Sequence, residues 1–125
     1  GVISIFSDRI RRGRPLTIHG DGGQSRDFVF VADVVRALRA AMSGLEADPS
    51  PRAEIANVGT GRATSVRHLA ETLMAVHDRR VPVRHAAPRP GDIRTSLACT
   101  RRLQTRLALG ATTTIDAGLR ALVAA

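Results

Sequence analysis

Two arginines differ from the other basic residues of this sequence because each lies in a loop made rigid by glycine or proline. Arg26 ends a glycine-rich segment, and Arg89 is flanked by a proline on both sides. A guanidinium group held by rigid backbone loses less entropy on binding, and it matches phosphate oxygens in a bidentate geometry. The two arginines therefore predict a clamp for a diphosphate. The alternative is internal ion pairing, of Arg26 with Asp27 or Asp33 and of Arg89 with Asp92.

The common catalytic motifs are missing from the sequence. It has no G-x-S-x-G, no H-E-x-x-H, no tyrosine and no lysine. The four histidines lie far apart without carboxylates at ligand spacing, so no metal site is predicted. No histidine lies beside the single cysteine, Cys99, and a nucleophilic role is therefore not favoured. The segment Gly59-Thr60-Gly61 is too short for a dinucleotide-binding loop and is interpreted as a turn.

The charge of the chain requires a separate interpretation. The net charge is +8 and the isoelectric point is near 11.7, which would ordinarily suggest a nucleic-acid partner. The arginines are scattered, however, and tryptophan and tyrosine are absent as stacking platforms. A basic nucleic-acid-binding module is therefore kept only as the alternative from another functional class. No apolar run approaches the roughly 18 residues of a membrane span, and one cysteine fits a reducing, cytoplasmic location.

The spacing of apolar residues predicts helices that alternate with short strands, which is an α/β fold. Helices are predicted from Val2 to Ile10, after Asp33, after Thr64 or Ser65, at 101–107 and from Thr114. Strands are predicted at 16–19, 28–31, 55–58 and 81–84, loops at 20–25 and 86–91, and a surface linker at Asp48–Pro51. Strands this short cannot cover the apolar helix faces. The sequence thus predicts a piece of a larger α/β domain, with another sheet as its missing partner.

A resemblance to a known family becomes apparent in residues 13–35, GRPLTIHGDGGQSRDFVFVADVV. This run closely resembles a segment of the NAD-dependent sugar-nucleotide epimerases and dehydratases. These are extended short-chain dehydrogenase/reductases, with UDP-glucose (UDP-galactose) 4-epimerase as the prototype. Residues 57–61, NVGTG, and 89–94, RPGDIR, match two further stretches of the family in order and spacing. The resemblance extends from Gly1 to about Val123.

The resemblance implies an architecture and an activity. Family members have an N-terminal Rossmann domain that holds NAD and a smaller C-terminal portion that holds the nucleotide sugar. Residues 1–125 look like the C-terminal portion, because the dinucleotide loop and the Tyr-x-x-x-Lys pair are missing. No catalytic or cofactor-binding residue is therefore expected in this chain, and the chain alone is expected to be inactive. The parent is expected to be a homodimeric epimerase, with a dehydratase or decarboxylase as the alternative.

The resemblance also implies substrate-binding positions. Arg26 and Arg89 match arginines that grip the diphosphate of a UDP-sugar, and Asp92 matches an acidic residue near the nucleotide ribose. The strand beside the uracil corresponds to Thr17, Ile18 and His19. Phe28 falls where a tyrosine is common, so a contact from a phenol hydroxyl is lost.

Two C-terminal stretches depart from the family pattern. Ala98-Cys99 stands where Ala-Asp is frequent, and 108–111 stands where Gly-Trp-x-Pro is frequent.

Overall fold

The computed structural model describes residues 1–47 and 53–124, and the predicted linker Asp48–Pro51 lies outside them. The helices are α1 (Val2–Arg11), α2 (Val31–Ala47), α3 (Val66–Val76), α4 (Arg101–Leu107) and α5 (Ile115–Ala124). The strands are β1 (Leu16–His19), β2 (Ser25–Arg26), β3 (Thr64–Ser65), β4 (Val83–Ala86) and β5 (Thr95–Ser96). None of the described helices is long and apolar enough to cross a membrane.

The strands form two small sheets that share their connecting segments. β1 pairs in parallel with β4, while β2 lies between β3, which is antiparallel to it, and β5, which is parallel. Segment 20–24 leads from β1 to β2, and segment 87–94 leads from β4 to β5. Because both pairings are parallel, these two segments leave the first sheet at the same edge and reach the second sheet side by side.

The hydrophobic core lies between α1, α3 and β1. Its fully buried side chains come from predicted apolar positions: Ile10, Leu16, Ile18, Leu69 and Leu73. The predicted cap of α3 is confirmed, since the Ser65 hydroxyl accepts a hydrogen bond from the His68 N–H. The edge position predicted for the proline-containing strand is also confirmed, because β4 follows Pro82 and pairs only with β1 among the described strands.

Two predicted strands, 28–31 and 55–58, are wrong. The carbonyl of Phe30 accepts hydrogen bonds from the N–H groups of Asp33 and Val34, which begins α2 instead of a ladder. Residues 53–58 are irregular, and Ile55 is 79% exposed. A strand is stable only when a neighbour satisfies its backbone groups, and no described strand lies beside either segment. Their apolar composition alone could not supply that neighbour.

Helix α2 carries an apolar face that the described residues leave uncovered. The large apolar side chains on it are between 50% and 66% exposed and follow a 4-3-4-3 spacing: Val31, Val35, Leu38, Met42 and Leu45. The opposite side is buried through Asp33 and Ala37. This spacing places the five exposed side chains in one continuous seam, which we call the α2 seam.

Candidate functional site

Segment 20–24 is a tight loop fixed against the start of α3. The Asp21 carboxylate accepts the Gly23 N–H at 2.9 Å, and the Gly22 carbonyl accepts the Arg67 N–H at 3.0 Å. Gly22 has a φ of +76°, and an added Cβ would lie 3.3 Å from Ile18 Cγ2. Glycine at this position allows the left-handed backbone and the close approach to the core. These contacts fix the backbone of the loop that precedes Arg26 against α3 and the core.

Residues 89–92 form a tight turn on the second segment. The Asp92 N–H donates to the Arg89 carbonyl at 3.2 Å, and Gly91 has a φ of +77°. Proline followed by glycine with a positive φ is the pattern of a type II turn. The proline fixes φ in the turn, so the backbone that carries Arg89 is preorganised.

The side chain of Arg26 reaches across to this turn. Its Nη2 lies 2.7 Å from Asp92 Oδ1, and its Nη1 donates to the carbonyls of Ile93 and Ser25. Arg26 does form an ion pair, but its partner is Asp92, so the predicted partners Asp27 and Asp33 are wrong. The predicted pair of Arg89 with Asp92 is wrong too, because Asp92 pairs with Arg26 and the Arg89 side chain contacts His19.

Asp27 instead fastens the turn at 59–61. Its carboxylate accepts hydrogen bonds from Thr60 N–H at 2.9 Å, Thr60 Oγ1 at 2.6 Å, Gly61 N–H at 2.9 Å and Ala98 N–H at 3.3 Å. Desolvation acts to raise the pKa of the Asp27 carboxyl, but these hydrogen bonds outweigh it and hold the pKa below its ordinary value. Asp27 thus has a structural role.

Asp33 is buried near the start of α2 and fixes that helix to the segment before α5. Its Oδ2 accepts the Thr113 N–H at 3.1 Å, and its Oδ1 lies 2.8 Å from Arg36 Nη2. The Oδ1 atom has no well-aligned hydrogen bond, so this contact is an ion pair by distance. Desolvation opposes ionisation, yet the contacts from Thr113, Thr112 and Arg36 keep the pKa of Asp33 below its ordinary value.

Arg89 meets the end of β1 through His19. Arg89 Nη2 lies 3.1 Å from His19 Nε2, and His19 Nδ1 lies 3.1 Å from the carbonyl oxygen of Ala87. A guanidinium can only donate and a carbonyl can only accept, so both contacts are hydrogen bonds in the tautomer that has its proton on Nδ1. The structure thus brings His19 and Arg89 together by their side chains, which the sequence did not predict.

Two further arginines contact segment 20–24, and the sequence patterns did not single them out. Arg94 forms a bidentate pair with Asp21, at 2.6 and 2.9 Å, and Arg67 Nη2 donates to the Asp21 carbonyl at 2.6 Å. The hydrogen bonds from Arg94 and from the Gly23 N–H hold the pKa of the Asp21 carboxyl well below its usual range. The Asp21 carboxylate in turn raises the pKa of Arg94. Asp21 and Arg94 lie inside two matched motifs, and their opposite charges were the available signal.

The backbone of β1 has one edge occupied by β4. The ladder uses the N–H groups of Leu16, bonded to the Pro82 carbonyl, and of Gly20, bonded to the Ala86 carbonyl. Strand alternation therefore directs the backbone N–H and C=O groups of Thr17 and His19 to the opposite edge. There the His19 carbonyl accepts a hydrogen bond from Gln24 Nε2 at 2.8 Å.

Two predicted positions contribute differently from the arginines. The Ile18 side chain is only 2% exposed and belongs to the core, and strand alternation turns its backbone N–H and C=O toward β4, so Ile18 offers no group to the open edge of β1. Phe28 packs against the core and lines an apolar cavity with Phe30 and Ile115. The hydrogen bonds that join the two segments do not include Phe28.

The glycine-rich loop of the described residues lacks the geometry of a dinucleotide-binding loop. The glycine-rich loop at 20–24 runs from one short strand to another, and no helix begins directly after it. A dinucleotide loop instead leads into a helix whose N-terminus receives the pyrophosphate. The described residues also contain no cluster of three potential metal ligands.

Comparison with known proteins identifies the family. Residues 1–59 match the sequence profile of the NAD dependent epimerase/dehydratase family. The chain belongs to this family. A putative UDP-glucose 4-epimerase of Methanocaldococcus jannaschii is 38% identical over 93 residues, which are 74% of this chain and 28% of that protein. UDP-glucose 4-epimerase of Mycolicibacterium smegmatis is 42% identical over 97 residues, which are 77% of this chain and 29% of that protein.

Solved structures of the family share this fold. UDP-glucose 4-epimerase of Thermotoga maritima, crystallised with UDP-glucose, superposes with a TM-score of 0.83 and 36% identity over 96% of this chain. The extended Rossmann-type α/β fold predicted from the sequence is thereby confirmed. The chain spans 28–29% of the length of the two curated relatives and 37% of the Thermotoga chain. A UDP-N-acetyl-alpha-D-glucosaminuronate decarboxylase of Bacillus cytotoxicus is 36% identical over 73 residues, 58% of this chain and 21% of that protein.

Proposed function

We propose that residues 1–125 form the C-terminal, nucleotide-sugar-binding portion of an NAD-dependent epimerase that resembles UDP-glucose 4-epimerase. The observation that carries this proposal is the convergence of Arg26 and Arg89 on one turn. Arg26 contacts Asp92 and Ile93 from β2, while Arg89 starts the same turn and contacts the end of β1. Two guanidinium groups, one bonded to this turn and one carried by it, could serve the two phosphates of a nucleoside diphosphate.

The charges around the two segments favour an anion. Arg26 and Arg94 are each paired with a carboxylate, of Asp92 and Asp21. Arg89, by contrast, has an uncharged histidine acceptor, and Arg67 has a backbone carbonyl, among the contacts of the described residues. Together with Arg26 on β2 and Arg67 on α3, the two segments therefore bring four arginines against the two carboxylates of Asp21 and Asp92, which leaves an excess of positive charge. Such an excess raises the local concentration of an anionic ligand.

The open edge of β1 supports the assignment of a base beside the diphosphate. The backbone N–H and C=O groups of Thr17 point away from β4 and offer one donor and one acceptor. A pyrimidine base such as uracil also carries both donors and acceptors, so a strand edge can bind it by backbone groups. Thr17 through both backbone groups and His19 through its N–H would contact the base in this way, while Ile18 would hold the strand to the core. Asp92 would lie near the ribose.

The chemical step belongs to residues outside this chain in this proposal. NAD, held by the preceding N-terminal part of the parent, supplies hydride acceptance when bound. The role of residues 1–125 is to bind the diphosphate and to orient the sugar toward that part. Correct orientation of the reacting groups can lower the activation free energy of a reaction by about 7–11 kcal/mol in the best intramolecular cases. Substrate binding by Arg26 and Arg89 would therefore affect turnover as well as affinity.

The parent is proposed to be a homodimer in the cytoplasm, and its N-terminal part is proposed to cover the α2 seam. A decarboxylase or dehydratase on the same scaffold is the second candidate, because a decarboxylase is among the relatives. The scattered arginines and the pairing of Arg26 and Arg94 with carboxylates favour a small diphosphate over a long nucleic acid.

The test is an activity assay of the full-length parent. We expect interconversion of UDP-galactose and UDP-glucose with NAD bound after purification. Release of carbon dioxide from a UDP-uronic acid would identify the decarboxylase instead. Failure of UDP to bind, together with tight binding of an oligonucleotide at physiological salt, would contradict both enzyme assignments.

A further inference from the structure

His19 connects the end of β1 to the loop that carries Arg89, just beyond the last backbone hydrogen bond of the β1–β4 ladder, which runs from the Gly20 N–H to the Ala86 carbonyl. Its Nδ1–H donates to the Ala87 carbonyl, and its Nε2 accepts from Arg89, each at 3.1 Å. The ring lies on the last residue of β1, whose backbone is fixed by the core and by Gln24 Nε2 on its carbonyl. The imidazole therefore transmits the rigid position of β1 to an arginine on a neighbouring loop.

Arg89 needs such a support because its own surroundings are open. The residue is exposed, and the following Gly91 has no heavy atom near an added Cβ. The turn fixes the Arg89 backbone, but it leaves the rotamers of a long side chain free. Freezing such a side chain on ligand binding costs conformational entropy. A hydrogen bond made in advance reduces this cost.

We propose that His19 is a positioning residue that holds the Arg89 guanidinium toward the diphosphate site. This inference rests on the proposed function, and it assigns to the His19 side chain a role that differs from the backbone contact expected for the β1 strand. Two contacts favour the same tautomer, because the Ala87 carbonyl requires a proton on Nδ1 and Arg89 requires Nε2 as an acceptor. Arg89 keeps donors other than the Nη2–H used by His19, and these remain available for phosphate oxygens.

The side-chain pair can be tested without any substrate. In the full-length parent labelled with ¹⁵N-histidine, long-range ¹H–¹⁵N spectra at pH 8 distinguish the two neutral tautomers. His19 should show the Nδ1–H tautomer, with the signal assigned by its loss in His19→Phe. Arg89→Ala should shift His19 toward the Nε2–H tautomer, and Arg89→Lys should retain more of the Nδ1–H form. A tautomer of His19 that does not respond to Arg89→Ala would overturn the proposal.

UDP binding tests the positioning role itself. His19→Phe, which removes both hydrogen bonds, should weaken UDP binding about tenfold in calorimetry, as expected for one lost interaction. His19→Gln should recover much of the affinity, because its amide oxygen can accept from Arg89. The double variant His19→Phe/Arg89→Ala should bind within about twofold of Arg89→Ala alone, since the two residues act as one unit.

The matched control is His85→Phe. His85 lies on β4 and its Nδ1 contacts the Gly20 carbonyl at 2.7 Å, so it loses an imidazole–backbone bond without an arginine contact. UDP affinity should stay within about twofold. Equal weakening by His19→Phe and His85→Phe, or additive losses in the double variant, would refute positioning. If Arg89→Ala itself binds UDP like the parent, the proposed function fails, while the tautomer spectra still decide whether the pair exists.

Discussion

Arg26 and Asp92 lie 66 residues apart in the sequence, yet Arg26 Nη2 and Asp92 Oδ1 are 2.7 Å apart in the fold. Both side chains are about one-third exposed, at 30% and 34%. The pair ties β2 to the turn that carries Arg89, and Arg26 also binds the Ile93 carbonyl next to it. The carboxylate therefore orients the guanidinium before a ligand arrives. It also leaves Arg26 with partly compensated charge, so Arg89 carries more of the uncompensated charge at this turn.

The first prediction concerns the proposed clamp in the full-length parent. Replacing Arg26 or Arg89 by Ala removes a charge-assisted hydrogen bond of about 1.5–3 kcal/mol and should weaken UDP binding roughly ten- to a hundredfold. Arg→Lys at either position should recover only part of the loss, because an ammonium group cannot form the bidentate contact. Titration calorimetry with UDP at fixed salt measures these affinities.

The control for this series is Arg120→Ala. Arg120 is exposed on α5, and it is not among the residues that join segments 20–24 and 87–94. The substitution Arg120→Ala removes the same charge as the clamp variants and should leave UDP affinity nearly unchanged. Helix arginines Arg36 and Arg67 are poorer controls, because they bind Gly110 and Asp21. The clamp assignment is wrong if Arg120→Ala weakens binding while both clamp variants bind like the parent.

The second prediction is that the 125-residue chain alone has no epimerase activity and binds NAD poorly. The chain contains no tyrosine and no lysine, and the glycine-rich loop at 20–24 leads into a strand in the part of the chain that the structure describes. Proton transfer to and from the sugar and cofactor binding would both require residues outside it. Turnover of UDP-galactose in a coupled assay, or NAD binding at micromolar concentration, by these 125 residues would contradict the proposed division of labour.

The third prediction uses the lowered pKa of Asp27. A carboxyl whose pKa is depressed in the folded state stabilises it fully above its unfolded value of about 3.9, and this contribution is lost as the pH falls through the folded value. Asp27→Asn removes the charge from hydrogen bonds to Gly61 and Ala98, with an expected cost of about 1.5–3 kcal/mol at pH 7. The difference between parent and variant should shrink as the pH falls below about 3.9 and through the lower pKa of the folded state.

Hydrogen exchange of the Gly61 and Ala98 amides in the full-length parent reports this cost locally. Asp8 serves as a comparison, because its carboxyl pairs with Arg11 and Arg12 on an exposed helix face and contacts neither amide. Asp8→Asn should leave the protection of both amides unchanged. A pH-independent difference between the parent and Asp27→Asn would show that the charge of Asp27 does not contribute.

Local sequence signals predicted the helices and the first strand, and they failed where pairing depends on distant residues. Strand β1 and the stripe of α3 follow from apolar spacing within one segment. The two-residue strands β2, β3 and β5 are polar and short, so their pairing depends on chain segments up to about 70 residues away. Residues 28–31 and 55–58 show the reverse error. Their apolar runs resemble buried strands, but the described residues provide no neighbouring strand.

The same contrast applies to the site. The rigid loops around Arg26 and Arg89 were visible as glycine and proline, since these residues restrict the backbone locally. The partner of Asp92 was not visible, because the turn at 89–92 directs its carboxylate toward β2 and away from the arginine next to it in sequence. The His19–Arg89 contact likewise depends on the parallel register of β1 and β4. Side-chain pairing across such registers requires the fold.

The fourth prediction concerns the turn at 59–61. A Cβ added to Gly59 would lie 2.5 Å from Ala98 Cβ and 2.8 Å from Asp27 Oδ2. Gly59→Ala should therefore push the turn away from Asp27 and lower the free energy of unfolding by about 1–3 kcal/mol. Gly110→Ala is the matched control, since its added Cβ meets nothing within 4 Å. Equal urea midpoints for the two variants in the full-length parent would refute this steric constraint.

The fifth prediction concerns the α2 seam. Its five large apolar side chains are at least half exposed in the described residues, and a continuous apolar surface of this kind favours association. If the N-terminal part of the parent covers the seam, the 125-residue chain alone should self-associate and bind a hydrophobic dye. Leu38→Glu/Met42→Glu should reduce both effects, because it places two charges in the middle of the seam.

In the full-length parent the same substitutions should lower the melting temperature by several degrees, since burying unpaired carboxylates is costly. Arg120→Ala, which changes the net charge by the same amount as one Leu→Glu, should alter neither the dye signal nor the sedimentation coefficient. A 125-residue chain that sediments as a monomer, melts cooperatively and binds no dye would show that the α2 seam needs no cover.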